Sequence, residues 1–206
     1  GASPSQYNGT FTITVTGATT FTYTMGSDPG VSASPVGAYF FIDASPAFSS
    51  DSGDGRLRFS GGELNGIFIV NHPTDGLYYW PGPGNRMRRF PQSYISQSAR
   101  IFKNYIVQLY RTVDGTRFPH SVSWSSAAEP GAIPSGFDAA STNDSGVVDL
   151  AETPGFIVDC LPLGDANIIY KSDARYSMTY IGGNDVFRFQ RLPGNDGLLA
   201  RECVCD

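Results

Sequence analysis

Phe11, Ile13 and Val15 alternate with Thr10, Thr12, Thr14 and Thr16, and after a Gly17-Ala18 turn Phe21, Tyr23 and Met25 alternate with Thr20, Thr22 and Thr24. A period of two, with β-branched threonines on one face and larger apolar groups on the other, predicts an antiparallel hairpin from a small β-sandwich or barrel. Asn8-Gly9 ahead of it is a turn signal that would join an earlier strand. Two strands alone make no stable sandwich, so the remainder of this sheet is expected outside the chain or elsewhere in an assembly. Residues 26–38, rich in Gly, Pro and Ser, read as a linker. The stretch at 49–55 has the look of a calcium loop, but Asp51 and Asp54 are three apart and no bidentate Glu follows. It is read as a solvated turn.

From residue 56 a loose repeat emerges. Leu64-Asn65-Gly66 leads into Ile67-Phe68-Ile69-Val70, a turn at Pro73-Thr74-Asp75-Gly76, and Leu77-Tyr78-Tyr79-Trp80. Phe102-Lys103-Asn104 leads into Tyr105-Ile106-Val107-Gln108-Leu109, a turn at Asp114-Gly115, and Ser121-Val122-Ser123-Trp124. Leu163-Gly164-Asp165 leads into Asn167-Ile168-Ile169-Tyr170, a turn at Ser172-Asp173, and Tyr176-Ser177-Met178-Thr179-Tyr180. Asn65 to Trp80 and Asp165 to Tyr180 both span 15 positions, and Asn104 to Trp124 spans 20. Turn, apolar strand, turn, aromatic-ending strand, repeated with insertions, predicts β-propeller-like blades, with a sandwich or stacked meander as the competing arrangement. Inner strands apolar on both faces, such as 67–70, suit stacked sheets. One segment is ambiguous. Ile95, Ala99, Phe102, Ile106 and Leu109 fit a helical face over 94–110, yet Tyr, Ile and Val crowd its second half and no capping box opens it. Strand is expected there from about 99 onward.

Composition agrees with an all-β class. The chain has 24 Gly and 14 Pro among 206 residues, too many breakers for a long-helix protein. Its 14 Phe, 11 Tyr and 2 Trp argue against disorder. No run of about 18 apolar residues could span a bilayer as a helix, and the chain opens on Gly1 with no signal-peptide pattern. Three cysteines, Cys160, Cys203 and Cys205, cannot close a disulfide set; buried free thiols in a reduced compartment are expected.

Charge sharpens the picture more than the net −5 does. Residues 1–80 sum to −4, residues 81–120 to +6 and residues 121–206 to −7. A basic belt between acidic flanks fits contact with nucleic acid or an acidic surface, or pairing with the acidic segments within one fold. Arg86, Arg88 and Arg89 are its densest part and form a candidate electrostatic contact patch.

Chemistry is sparse. No G-x-S-x-G, S-x-x-K or phosphate-cradling loop occurs, and Pro81-Gly82-Pro83-Gly84 carries prolines that remove backbone donors. His72 and His120 are 48 residues apart and the Cys203-Val204-Cys205 pair has no further ligands nearby, so no metal or cofactor is expected. A glycosidase needs only two carboxylates, and Glu129, Asp149, Glu152 and Asp159 lie in a region whose Trp124 and Phe137 could stack on a sugar. The same residues sit among Pro and Gly, where carboxylates commonly hold turns. Asn8-Gly9-Thr10 and Asn143-Asp144-Ser145 match the glycosylation sequon without a secretory context.

Several stretches resemble a family of bacteriophage tail structural proteins, related to propeller-containing nozzle or hub proteins. They are Gly61-Gly62-Glu63-Leu64-Asn65-Gly66 leading to Tyr79-Trp80; Phe102-Lys103-Asn104; Gly115-Thr116-Arg117-Phe118-Pro119 leading to Trp124-Ser125; Glu129-Pro130-Gly131; Asp149-Leu150-Ala151-Glu152-Thr153-Pro154-Gly155; Ile169-Tyr170-Lys171; and Tyr180-Ile181-Gly182-Gly183. The N-terminal threonine-rich hairpin resembles the end of an immunoglobulin-like module inserted in such proteins. The resemblance implies a partial Ig-like module and linker over 1–35 and an incomplete propeller-like region over 36–206. It implies no catalytic residue and a structural part in a virion tail, assembled in the host cytoplasm. Expected partners are copies of the chain in a ring, other tail or connector proteins, and non-specific contact with DNA. A receptor- or glycan-binding adhesin, and then a tail-associated glycan hydrolase, are the rival expectations.

Overall fold

The computed structural model describes residues 3–9, 11–17, 20–32, 59–83, 85–90, 95–138, 144–201 and 203. The 49–55 turn, most of the linker's second half, Asn143 and Cys205 lie outside the described residues. The chain divides into two compact units, Gly1–Ser45 and Pro46–Asp206.

In the first unit, strands β1 (Ile13–Val15) and β2 (Phe21–Tyr23) pair antiparallel, with Ile13 opposite Tyr23 and Val15 opposite Phe21. The predicted alternation is therefore real in register. It does not create a dry face: Val15 is exposed, Ile13, Phe21 and Tyr23 are half-buried, and Phe11 packs against Tyr23 at 4.8 Å between ring centres. The strand expected before Asn8-Gly9 is replaced by a single 3-10 turn, Ser5–Tyr7, and the Tyr7 hydroxyl donates to the Val31 carbonyl at 2.6 Å.

Among the described residues the second unit holds three antiparallel four-stranded sheets, each made of strands consecutive in the chain. Sheet 1 holds β3 (Ser60–Leu64), β4 (Ile67–His72), β5 (Gly76–Trp80) and β6 (Arg88–Arg89). Sheet 2 holds β7 (Ile95–Phe102), β8 (Tyr105–Val113), β9 (Thr116–Trp124) and β10 (Gly146–Asp149). Sheet 3 holds β11 (Ile157–Leu163), β12 (Ala166–Lys171), β13 (Arg175–Tyr180) and β14 (Phe187–Arg191). Neighbours in sequence are neighbours in the sheet, so each is an up-and-down meander.

Turn chemistry closes the hairpins. Asn65 and Gly66 have φ of 49° and 91°, and Asp114 and Gly115 have 49° and 77°. Two central residues at positive φ match the twist of antiparallel strands, which is why Asn-Gly and Asp-Gly occupy these corners. The 94–110 segment is a hairpin rather than a helix. Its strand begins at Ile95, earlier than the sequence suggests, and turns at Lys103-Asn104. The apparent helical spacing arises because both faces of this hairpin are buried: Ala99 and Ile106 lie in one core, and Phe102 and Leu109 in the other.

The sheets stack face to face in chain order. β7 lies against β3, β4 and β5, and β11 lies against β7, β8 and β9. Two apolar cores result. Leu64, Ile67, Ile69 and Leu77 meet Ala99 and Ile106 between sheets 1 and 2. Val107, Leu109, Val122 and Trp124 meet Cys160, Ile169, Tyr176, Met178 and Phe187 between sheets 2 and 3. Sheet 2 is thus covered on both faces, and β8 accordingly places Ile106 in one core and Val107 in the other.

Gly146 is fixed by this packing. A Cβ there would run into the Trp124 indole across the β9–β10 pair.

Candidate functional site

A sheet's first strand has one free edge, and an unpaired edge invites foreign strands. Here side chains close those edges. The Ala99 amide on β7 donates to Ser60 Oγ at 2.9 Å, and the Asn71 side-chain amide donates to the Ser96 carbonyl at 3.1 Å. Ser96 Oγ donates to Asn71 Oδ1 and accepts from Gln108 Nε2, which makes a buried polar seam between sheets 1 and 2. Arg201, 104 residues along, reaches the Gln97 carbonyl of the same strand.

The second seam is ionic. Arg100 on β7 meets Asp159 on β11 through two parallel hydrogen bonds, Nε to Oδ1 at 3.0 Å and Nη2 to Oδ2 at 2.6 Å. Ser98 Oγ and the Cys160 amide also donate to Oδ1, and the carboxylate is fully buried. Bidentate geometry and extra donors are what let a carboxylate stay charged away from water.

One end of the stack carries an aromatic cluster anchored on Asp144. Its Oδ2 accepts the Tyr105 hydroxyl at 2.7 Å, its Oδ1 the Ala127 amide, and its backbone carbonyl the Trp124 indole N–H. Burial, reinforced by the Asp144 carboxylate and Tyr180, pushes the Tyr105 hydroxyl well above the ordinary phenol range. The 125–138 loop folds back over the hairpin corners here. Ala128 donates to the Asn104 carbonyl, while Asn65 Nδ2 donates to the Ala128 carbonyl and Gly131 to the Asn65 carbonyl.

At the other end Lys171 is fully buried, and Nζ donates to the Leu150 and Thr153 carbonyls at 2.6 Å each. Burial pulls its pKa down, against the opposing pull of Asp173, Asp149 and Glu152. Asp173 Oδ2 takes the Gly155 amide at 2.8 Å. The 150–156 loop is therefore pinned by a lysine and an aspartate from the β12–β13 turn.

These interactions decide where the carboxylate candidates stand. Asp159 is held by Arg100, Asp149 and Glu152 lie in the field of a lysine that binds backbone carbonyls, and Glu129 is exposed in the loop at the opposite end. Of the four, Asp149 and Glu152 share a neighbour, Lys171. Trp124 and Phe137 are buried core residues, at 7% and 3% exposure, and offer no face to a sugar. His72 is buried, with Nδ1 accepting the Asp75 amide at 3.1 Å. Among the described residues no group of three His, Cys, Asp or Glu could hold a metal, and no helix is long and apolar enough to cross a membrane.

The basic belt is contiguous in sequence and scattered in space. Arg86, Arg88 and Arg89 are exposed along the outer edge of sheet 1, where Arg88 and Arg89 form β6 opposite Tyr79 and Tyr78. Arg89 Nη2 donates to the Asp75 carbonyl at 3.0 Å. Arg100 is spent in the buried ion pair, Lys103 lies over the Phe102 ring, and Arg111 donates to Ser121 Oγ. Asp144 and Lys171 organise the two ends, and neither the sequon match around Asp144 nor the Ile169-Tyr170-Lys171 stretch points to that role, which comes from chain segments about twenty to forty positions away.

No protein-family model matches the chain, and no curated protein does either.

Proposed function

We propose that this chain is a structural component of a bacteriophage tail, a nozzle, hub or connector ring element, and that its three sheets are consecutive blades of a propeller-like body. The observation that supports this most directly is the repeated unit itself: three four-stranded meanders in chain order, each packed on the next through its first strand. Blades of a propeller are four-stranded antiparallel sheets arranged in the same way. Polar and charged residues at the unit's centre are engaged in holding sheets and loops together, as a rigid assembly part requires. The exposed Arg86, Arg88 and Arg89 edge is the surface for a neighbouring acidic ring or for DNA in transit.

The test is labelling of particles. Antibody-gold against this chain, applied to phage particles produced by the organism that encodes it, should mark the tail axis in electron micrographs. Gold on peripheral fibres would transfer the role to an adhesin, and unlabelled particles would overturn the reading.

A further inference from the structure

The last strands of the three sheets differ in what they leave open. β6 is two residues and β10 four, whereas β14 runs for five in unbroken register with β13, with no proline and no bulge. Its hydrogen bonds have a fixed parity. The Ile181 amide donates to the Val186 carbonyl and the Leu192 amide to the Arg175 carbonyl, each at 2.9 Å. Paired residues on antiparallel strands alternate between bonded and non-bonded positions, so Arg188 and Gln190 turn their N–H and C=O groups to β13. Phe187, Phe189 and Arg191 turn theirs away from it, and among the described residues nothing hydrogen-bonds to those groups.

An open edge of this kind templates another strand unless proline, a bulge or brevity blunts it. The side chains of β14 decide which strand. Arg188 and Gln190 are exposed on one face, Arg191 is exposed on the other, and the strand holds no carboxylate. Asp196, just beyond it, is engaged by Arg175 at 2.8 Å, and among the described residues Arg188 has no acidic partner. Phe189, 5.8 Å from the Trp124 ring, gives the inner face an apolar centre. A second β14 laid on this edge would gather four arginines on two neighbouring strands, a like-charge arrangement that a strand carrying carboxylates reverses.

We propose that the free edge of β14 is a docking site for an extended acidic segment of another protein, which adds antiparallel as a fifth strand of sheet 3. The main chain of that segment meets the outward groups of Phe187, Phe189 and Arg191. Its carboxylates stand opposite Arg188 and Arg191, three positions apart, with a β-branched residue opposite Phe189 between them. This edge is separate from the Arg86, Arg88 and Arg89 edge of sheet 1, and its chemistry does not depend on the tail reading.

The probe is the end-blocked peptide Thr-Glu-Thr-Val-Glu-Val-Thr, titrated into the purified 206-residue chain. It should bind with a Kd of about 0.1 mM or tighter. By NMR-detected hydrogen exchange, the Phe189 and Arg191 amides should slow on binding, while those of Arg188 and Gln190 are slow from the start. Methylating both valine nitrogens keeps the charge and removes two main-chain donors, and should weaken binding by about tenfold or more. Arg188→Glu should weaken it about tenfold and favour the same peptide with lysine in place of glutamate. No binding at millimolar peptide overturns the proposal. Equal binding of the methylated peptide does so too, since attraction of charge would then suffice. Self-association that protects the Phe189 and Arg191 amides would make the occupant a second copy, and protection by duplex DNA would make it nucleic acid; either overturns the proposal. Particle labelling reads none of these amides, so the docking edge and the tail reading stand or fall separately.

Discussion

Arg100 and Asp159, 59 positions apart, form a two-pronged ion pair between the first strands of sheets 2 and 3. Removing one partner strands the other in a dry site, which typically costs about 3–5 kcal/mol. Arg100→Met, which leaves the fully buried Asp159 carboxylate without its guanidinium, should therefore lower the urea midpoint severely, whereas the double change Arg100→Met with Asp159→Leu should recover most of that stability. A single variant as stable as the parent would show that the pair holds nothing.

Lys171 gives a second measure of how the ends are held. Lys171→Met keeps the stem and removes the donor from two buried carbonyls, a destabilisation of about 2–5 kcal/mol on the usual cost of unpaired groups beside a charge. Hydrogen exchange should accelerate in the 150–156 loop first. Unaltered exchange there would detach the lysine from the loop's order.

Thiol chemistry should separate the cysteines. Burial pushes the Cys160 thiol up to about 12, while Cys203 is exposed. A thiol reagent at mildly alkaline pH should leave Cys160 untouched in the folded chain and reach it only after denaturation. Cys160→Ser should leave the native thiol count unchanged.

The same group sets a pH trend. A thiol that ionises near 9.0 when free and near 12 when buried lends its full stability below 9.0 and loses it as pH rises towards 12. Tyr105, also shifted upward, acts in the same sense, and Lys171, shifted downward, acts in the opposite one. In Cys160→Ala the alkaline fall in unfolding free energy should be shallower than in the parent. An identical slope would rule the thiol out as a contributor.

For the basic edge, Arg86→Ser, Arg88→Ser and Arg89→Ser together should leave thermal unfolding little changed, since all three are exposed. If the edge meets DNA, the salt dependence of duplex binding should flatten by about 0.9 in log–log slope for each phosphate that the arginines had neutralised. An unchanged slope would remove DNA as the patch's partner.

The sequence reveals the hairpins whose corners carry their own chemistry. Asn65-Gly66, Asp114-Gly115 and the Ser172-Asp173 turn locate β3–β4, β8–β9 and β12–β13 because turn geometry is a local property. The outermost strands are less legible. β7 is masked by a spacing that fits a helix, and β6 is two arginines whose strand character comes from pairing with Tyr78 and Tyr79. Neither the Arg100–Asp159 pair nor the placement of Lys171 is local, since each is made by bringing together segments that are separate in sequence. For that reason a belt of seven basic residues reads as one feature in the chain and becomes a paired cation, a ring contact and an exposed edge in the fold.

Because each sheet is a consecutive run of strands packed against the next sheet, assembly of this unit can begin before distant segments meet. A meander can form from short closures and then offer its face to the next, so propagation along the chain is a natural route to the native state. Sheet 2, covered on both sides, gains from either neighbour and should be the last region to release its amide protons, with the outer sheets fraying before it.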